Sequence, residues 1–388
     1  APQRRAPITL ETATDRALNR NPGLQARTAG VRAAEARAVQ AGLRPNPELE
    51  GELEDIGLTG EERGLDASVY TVRAAQSFEL GGKRGKRQRA AALETELAQW
   101  DLKAARLDLV TRVRLRFVEL LAALERVERL QALEKLAGTV RDTVAERVRA
   151  GKVSPLQLTK AEVELSGRRV ETRTAERERN AARSQLAALW NASPAEAATL
   201  RADGSLMHDP DLPARNVLEA RLRENPDAAR WKTEREAARA VLDREKASAI
   251  PDVTLSAAVA HERAEGAEVV EFGISLPLPL FDRNQGSIAA ASADVDRTRS
   301  RAHAVETALR AQLDAYWQQF EAAKARARAI RTDILPGARK AFEAAREAYR
   351  SGKLEYLEVL DAQKTLFETE MRSIDARAEL HKTAARLR

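Results

Sequence analysis

Three carboxylates, Glu355, Glu358 and Asp361, stand three residues apart just after the Gly-Lys pair at 352–353. On a helix this spacing sets them along one side. Such a stripe attracts cations; presented by several copies around one opening, it repels itself or holds a cation. A solvated acidic face has the same spacing, so the pattern alone decides nothing. Other reactive groups are sparse. His208, His261, His303 and His381 are scattered and unpaired at helical spacing, which reads as surface or structural use rather than metal ligation. There is no Gly-x-Ser-x-Gly, no phosphate-binding loop and no His-Glu-x-x-His. The 388 residues include no cysteine, which removes disulfides, thiolate metal sites and cysteine nucleophiles. No catalytic residue, cofactor or metal site is expected, and the chain does not read as an enzyme.

The elements that must carry these carboxylates come in a repeat. Arg149-Ala150-Gly151-Lys152-Val153 and Arg350-Ser351-Gly352-Lys353-Leu354 are two versions of one bend, about 200 residues apart. Each lies between long segments rich in Ala, Leu, Arg and Glu, so each reads as the turn of a helical hairpin. Aromatics are only 4%, as expected of long helices and coiled coils rather than of an aromatic core. Charge is high at 32% but interspersed, and the net +6 argues little for a nucleic-acid partner. No apolar run is long enough for a membrane helix. The chain opens on Ala1 rather than Met, which carries the expectation of a signal peptide already removed.

Upstream of each helical hairpin the period changes from helical to two. A helix from Ile8 to about Gly42, interrupted at Asn21-Pro22, stops at Pro45 and Pro47. Leu49, Gly51 and Leu53 then alternate with glutamates. After a loop holding Gly57, Gly60, Glu61, Glu62 and Gly64, Tyr70, Val72, Ala74, Phe78 and Leu80 alternate with Thr71, Arg73, Ser77 and Glu79. Gly81, Gly82 and Gly85 then serve a turn into a helix from about Lys86 to Arg149, on the order of 95 Å if continuous. Its seam is Val110, Val113, Phe117, Leu120, Leu124 and Val127. The second half repeats this order. Asn225-Pro226 echoes Asn21-Pro22; Val253, Leu255, Ala257, Val259 and then Val270, Phe272, Ile274, Leu276, Leu278 alternate; Pro277 and Pro279 belong outside a central strand. The next helix carries Leu309, Leu313, Tyr316, Phe320, Ala323, Ala327, Ile330 and Ile334, with a bend or break at Pro336. The last helix has a stripe of Leu357, Leu360, Phe367, Met371, Ile374 and Ala378. The organisation expected is therefore two structural repeats. Residues 1–200 hold a helix, a β-hairpin about 46–80 and a long helical hairpin about 86–190. Residues 201–388 hold a linker and helix, a β-hairpin about 250–280 and a helical hairpin about 286–387.

From periodicity alone, the hairpins fit a small soluble sheet covered by helices as well as a membrane barrel. Strands of roughly 10–12 residues with one apolar and one polar face suit a tilted membrane strand around a water-filled lumen. Four strands do not close, but three copies supply twelve, an even number that does. Pairing such short hairpins with such long helices shifts the balance to the barrel, with the helices continuing the tube.

This order and repeat resemble the TolC-like outer-membrane factors over nearly the whole chain. Phe78-Glu79-Leu80-Gly81-Gly82-Lys83-Arg84-Gly85-Lys86-Arg87 resembles the junction of their heavy-metal branch, the cobalt–zinc–cadmium resistance type. The resemblance implies a mainly α fold with membrane β: a homotrimer with a twelve-stranded outer-membrane barrel, four strands per chain, continued by a periplasmic α-helical barrel. It implies contact with outer-membrane lipid, a periplasmic adaptor and an inner-membrane resistance-nodulation-division pump. Glu358 and Asp361 match the two carboxylates that constrict the closed entrance in this family, and Tyr349 matches an aromatic of its closing latch. The latch's basic residue falls on Leu354 and its partners on Leu156 and Gln157, so the family's charged link is not expected here. Gly151, Lys152, Val153, Gly352, Lys353 and Leu354 fall where the adaptor docks. The function expected is passive conduction of heavy-metal cations through the duct of a tripartite efflux system. A multidrug or type I secretion duct is the alternative within the class, and a soluble coiled-coil scaffold the alternative outside it.

Overall fold

A computed structural model describes residues 7–60 and 63–387; Glu61 and Glu62 of the first hairpin loop lie outside the described residues. The order is α1 Leu10–Arg20, α2 Pro22–Ala41, β1 Glu48–Glu54, β2 Val69–Phe78, α3 Lys83–Arg149, α4 Pro155–Ala188, α5 Pro194–Ala198, α6 Arg215–Arg221, α7 Pro226–Ser248, β3 Val253–Glu262, β4 Ala267–Ser275, α8 Gln285–Ala329, a π turn Ile330–Ile334, α9 Leu335–Arg350 and α10 Tyr356–Leu387. Two compact units divide it, each drawing on both halves of the sequence: 27–103 with 224–306, and 1–26 with 104–223 and 307–388.

The unit of 27–103 and 224–306 contains the sheet, antiparallel throughout in the order β1-β2-β3-β4. Its burial is the reverse of a soluble sheet's. Tyr70, Val72 and Phe78 of β2, Leu255 and Val259 of β3, and Phe272 and Ile274 of β4 are exposed, whereas Thr71, Ala258 and Ala260 on the opposite face are buried. Register explains this, because a period of two puts the large apolar residues Tyr70, Val72, Phe78, Leu255, Val259, Val270, Phe272 and Ile274 on one face. Val72 pairs with Val259 and Val259 with Val270, while one residue along Arg73 pairs with Ala258 and Ala258 with Glu271. On the polar face Arg73 lies between Glu50 at 3.9 Å and Glu271 at 3.8 Å. Beside the sheet, Ala90 and Leu93 of α3 pack on Ala237 and Ala240 of α7. Trp100 Nε1 donates to Thr233 Oγ1 at 3.1 Å, and Arg230 reaches Asp101 at 2.7 Å.

Two of the four strands reach the 10–12 residues expected and two fall short. β2 and β3 have 10 residues, but β4 has 9 and β1 only 7. β1 ends where Asp55 takes φ 56°, a left-handed conformation that breaks the ladder. Gly81 and Gly82 form the strand-to-helix turn, whereas Gly85 already lies within α3. Pro277 and Pro279 fall after β4, as their missing donors require.

The other unit is helical. In it Asn21 opens a helix with Pro at its first position, its Oδ1 accepting from Leu24 N at 3.0 Å; in the sheet-bearing unit Asn225 opens α7 in the same way, its Oδ1 accepting from Asp227 N at 2.9 Å. Pro336 neither breaks nor simply bends its helix. The turn before it, Ile330–Ile334, widens to π geometry, accommodating the missing proline donor and the ring's clash with the preceding carbonyl. The shift of phase turns Ile334 out to 51% exposure, so the seam ends at Ile330, which is buried. The α10 stripe also starts one residue earlier than expected: Tyr356 is buried and Leu357 is 62% exposed.

Candidate gate at the paired helical bends

The two bends repeat atom for atom. After α3, Gly151 N donates to Val148 O at 2.9 Å and Lys152 N to Arg147 O at 2.9 Å. After α9, Gly352 N donates to Tyr349 O at 3.0 Å and Lys353 N to Ala348 O at 2.8 Å. Each pair satisfies two helix-terminal carbonyls in a Schellman cap. The cap needs a left-handed residue, and Gly151 and Gly352 supply it with φ 66° and 78°. Downstream of the first bend, Ser154 Oγ accepts from Leu156 N at 3.3 Å and Pro155 starts α4.

Side chains tie one bend to the other. The Arg147 guanidinium lies 4.2 Å from the centroid of the Tyr349 ring, and Arg147 Nη1 donates to the Tyr349 carbonyl oxygen. Tyr349 Oη donates to Gln157 Oε1 at 3.2 Å. The Tyr349 ring meets the Tyr356 ring at 5.9 Å and 58°, within a core of Val140, Val144, Phe342, Val359 and Phe367. Burial pushes the Tyr349 phenol above its usual pKa, opposed by the Arg147 charge. Burial, then the Glu164 carboxylate and Tyr349, push Tyr356 up to about 12. Both phenols are therefore neutral at any physiological pH, and Tyr349 acts as a donor.

The structure thus builds Tyr349 into a link between the bends and gives it two partners from the first hairpin. Gln157 was excluded from a charged link, and no charge is used: its amide oxygen accepts from a neutral phenol. Arg147 escaped the sequence reading, because a basic residue in a helix's last turn is already explained by the helix dipole. Leu156 and Leu354 do not take part, being 60% exposed and half-buried respectively.

Glu355, Glu358 and Asp361 are all exposed, while Tyr356, Val359 and Gln363 between and beyond them are buried. Glu358 and Asp361 lie on the solvent face of the first turns of α10, and Glu355 stands in the bend immediately before that helix. Gln363 is 1% exposed, and its amide has no hydrogen-bond partner among the described residues. Gly151, Lys152, Gly352 and Lys353 are exposed at the tips of the bends; Val153 and Leu354 are half-buried beside them.

Further along the bundle, buried charge is paired. Glu370, 6% exposed, accepts from Arg339 at 2.6 and 3.1 Å with Arg129 at 3.4 Å, and Arg377 holds Glu125 at 2.6 and 3.0 Å. His381 is held below its usual pKa by burial. Among the described residues, no three of His, Cys, Asp and Glu gather as a metal site would require, and no helix is long and apolar enough to cross a membrane.

The model of the family described as outer membrane efflux protein matches residues 13–192 and 217–388. The cobalt-zinc-cadmium resistance protein CzcC of Cupriavidus metallidurans is 33% identical over 379 residues, which are 97% of this chain and 88% of that one. The nickel and cobalt resistance protein CnrC of the same organism is 29% identical over 287 residues, 73% of this chain and 66% of its own. Among solved structures, the outer membrane protein VceC of Vibrio cholerae superposes with a TM-score of 0.80 at 20% identity, covering 97% of this chain and 94% of that one, and so shares the fold. The chain belongs to the outer membrane efflux protein family, as a duct of the outer membrane that extends into the periplasm.

Proposed function

We propose that this chain conducts heavy-metal cations out of the cell as the outer-membrane duct of a tripartite efflux system. One observation carries this reading above others. The four-stranded sheet turns its apolar face outward and, among the described residues, leaves both edge strands, β1 and β4, without a further partner. An exposed apolar face suits lipid, and an open sheet cannot stay open in a bilayer. Three copies give twelve strands and close it. The cation class is supported by the resistance proteins that this chain resembles, CzcC above all. Conduction is passive in this reading: the exposed carboxylates offer charge, and among the described residues no three His, Asp or Glu gather as a ligand set.

The paired bends form the periplasmic gate in this reading. Tyr349, held by Arg147 and Gln157, ties the hairpins closed, and Glu355, Glu358 and Asp361 of three copies ring the entrance. Gly151, Lys152, Val153, Gly352, Lys353 and Leu354 present the surface for the adaptor's helical hairpin, which joins the duct to a resistance-nodulation-division pump. The repeated Asn-Pro caps and Schellman bends support two structural repeats, 1–200 and 201–388. Deleting the gene and scoring survival on cobalt, zinc, cadmium and nickel salts tests the substrate class. Sensitisation to one or more of these metals, restored by the gene, is expected; unchanged survival on all of them contradicts it.

A further inference from the structure

We propose that the end of the sheet from which α3 and α8 depart binds anionic phospholipid head groups of the leaflet facing the periplasm. The proposal rests on the outer-membrane placement of the sheet. Register puts the end of β2, the start of β3 and the end of β4 together, since Phe78 pairs with Val253 and Thr254 with Ser275. From Ser275 the chain leaves as Leu276-Pro277-Leu278-Pro279-Leu280-Phe281. Leu278 and Leu280 are 71% and 65% exposed and Phe281 is 91% exposed. The two prolines keep this segment out of the ladder, and it extends the apolar face that Phe272 and Ile274 begin. An apolar run this open needs a non-aqueous neighbour.

Immediately beyond the apolar run the surface turns cationic. Lys83, Arg84, Lys86, Arg87 and Arg89 occupy the first two turns of α3, which has no acidic residue in its first turn. Three of these are committed within the protein: Lys83 to Asp252 at 2.7 Å, Arg87 to Glu79, and Arg89 to Glu236 at 3.5 Å. Arg84 Nε donates to the Gly42 carbonyl, but Arg84 meets no carboxylate. Among the described residues, Lys86, Arg239, Arg44 before β1 and Arg283 after Phe281 also lack a carboxylate within ion-pair distance. Lys86, Arg89 and Arg239 line an open hollow of about 290 Å³ together with Gly85, Glu236, Ala240 and Asp243, three cations against two carboxylates. A helix start without acidic side chains, facing free cations, favours an anion. An apolar segment flanked by unpaired Lys and Arg is the combination that holds acidic lipid at a membrane surface. Phosphatidylethanolamine, with no net charge, gains nothing from these cations.

Spin-labelled lipids read this directly. The detergent-purified full-length protein is reconstituted into phosphatidylcholine vesicles carrying trace spin-labelled phosphatidylglycerol or phosphatidylethanolamine. The motionally restricted fraction should favour phosphatidylglycerol by about three-fold, and molar salt should abolish the preference. Arg44→Gln/Lys86→Gln/Arg239→Gln should equalise the two lipids, whereas Arg44→Lys/Arg239→Lys should keep the preference. Equal restricted fractions for the unaltered protein would overturn the proposal while leaving the membrane placement intact. No restricted lipid of either kind would overturn both.

Discussion

Arg147 and Tyr349, from the two different hairpins, are joined at two points: the guanidinium covers the phenol ring at 4.2 Å and donates to the backbone carbonyl of the same residue. The same tyrosine donates its hydroxyl to Gln157 at 3.2 Å. One side chain thus closes on a cation, an amide and the Tyr356 ring, so small changes at its rim should loosen the bends without unfolding the bundle.

Tyr349→Phe removes only the hydroxyl and its bond to Gln157. A neutral hydrogen bond of this kind contributes about 1 kcal/mol, so the ratio of closed to open channels should fall by about five-fold. Gln157→Leu should act in the same direction, and the double variant should add little, because both delete one bond. Single-channel open probability in planar bilayers measures this. Additive effects of the two substitutions would show that the bond is not what links the residues.

Gln363→Met tests the unpartnered amide of α10. A buried amide without partners costs about 1–3 kcal/mol, and methionine keeps the shape of the side chain. The variant should melt at a higher temperature in detergent than the parent. An equal or lower melting temperature would mean that the amide is satisfied in the native protein.

Acid should loosen the bundle at His381. Burial lowers this histidine's pKa, with Arg377 acting in the same direction and Asp209 and the carbonyls of Leu206 and His208 opposing. The folded protein therefore prefers neutral His381 more than the unfolded chain does. Its contribution is present above the unfolded value of about 6.5 and is lost as pH falls through the lower folded value. His381→Gln should flatten the decline of melting temperature below about pH 6.5. An unchanged slope would place that acid sensitivity elsewhere.

Much of this architecture was legible because its signals are local. Alternation at Leu49–Leu53 and Val253–Val259 fixes strand faces, and Gly-Lys after a helical run fixes each bend. The misread positions depend on phase. Pro336 within a helical pattern does not say whether the chain breaks, bends or widens into a π turn, and that choice decides whether Ile334 faces in or out. Tyr356 and Leu357 are both apolar neighbours, and only packing against Tyr349 and Val359 selects the tyrosine. The link between the bends was half-legible. Tyr349 stood out by position, but Arg147 and Gln157 lie about 200 residues away in sequence, and an amide accepting from a phenol leaves no charge pattern to find.

The carboxylates proposed for the gate, Glu358 and Asp361, permit the most direct measurement. Trimers carrying Glu358→Ala/Asp361→Ala, inserted into planar bilayers, should conduct more than the parent in monovalent salt, because a ring of six charges that constricts and collects counter-ions is gone. Block by millimolar divalent cations should weaken by about ten-fold or more. Conductance and divalent block equal to the parent's would contradict the gate at the second bend and leave these residues as a solvated helix face.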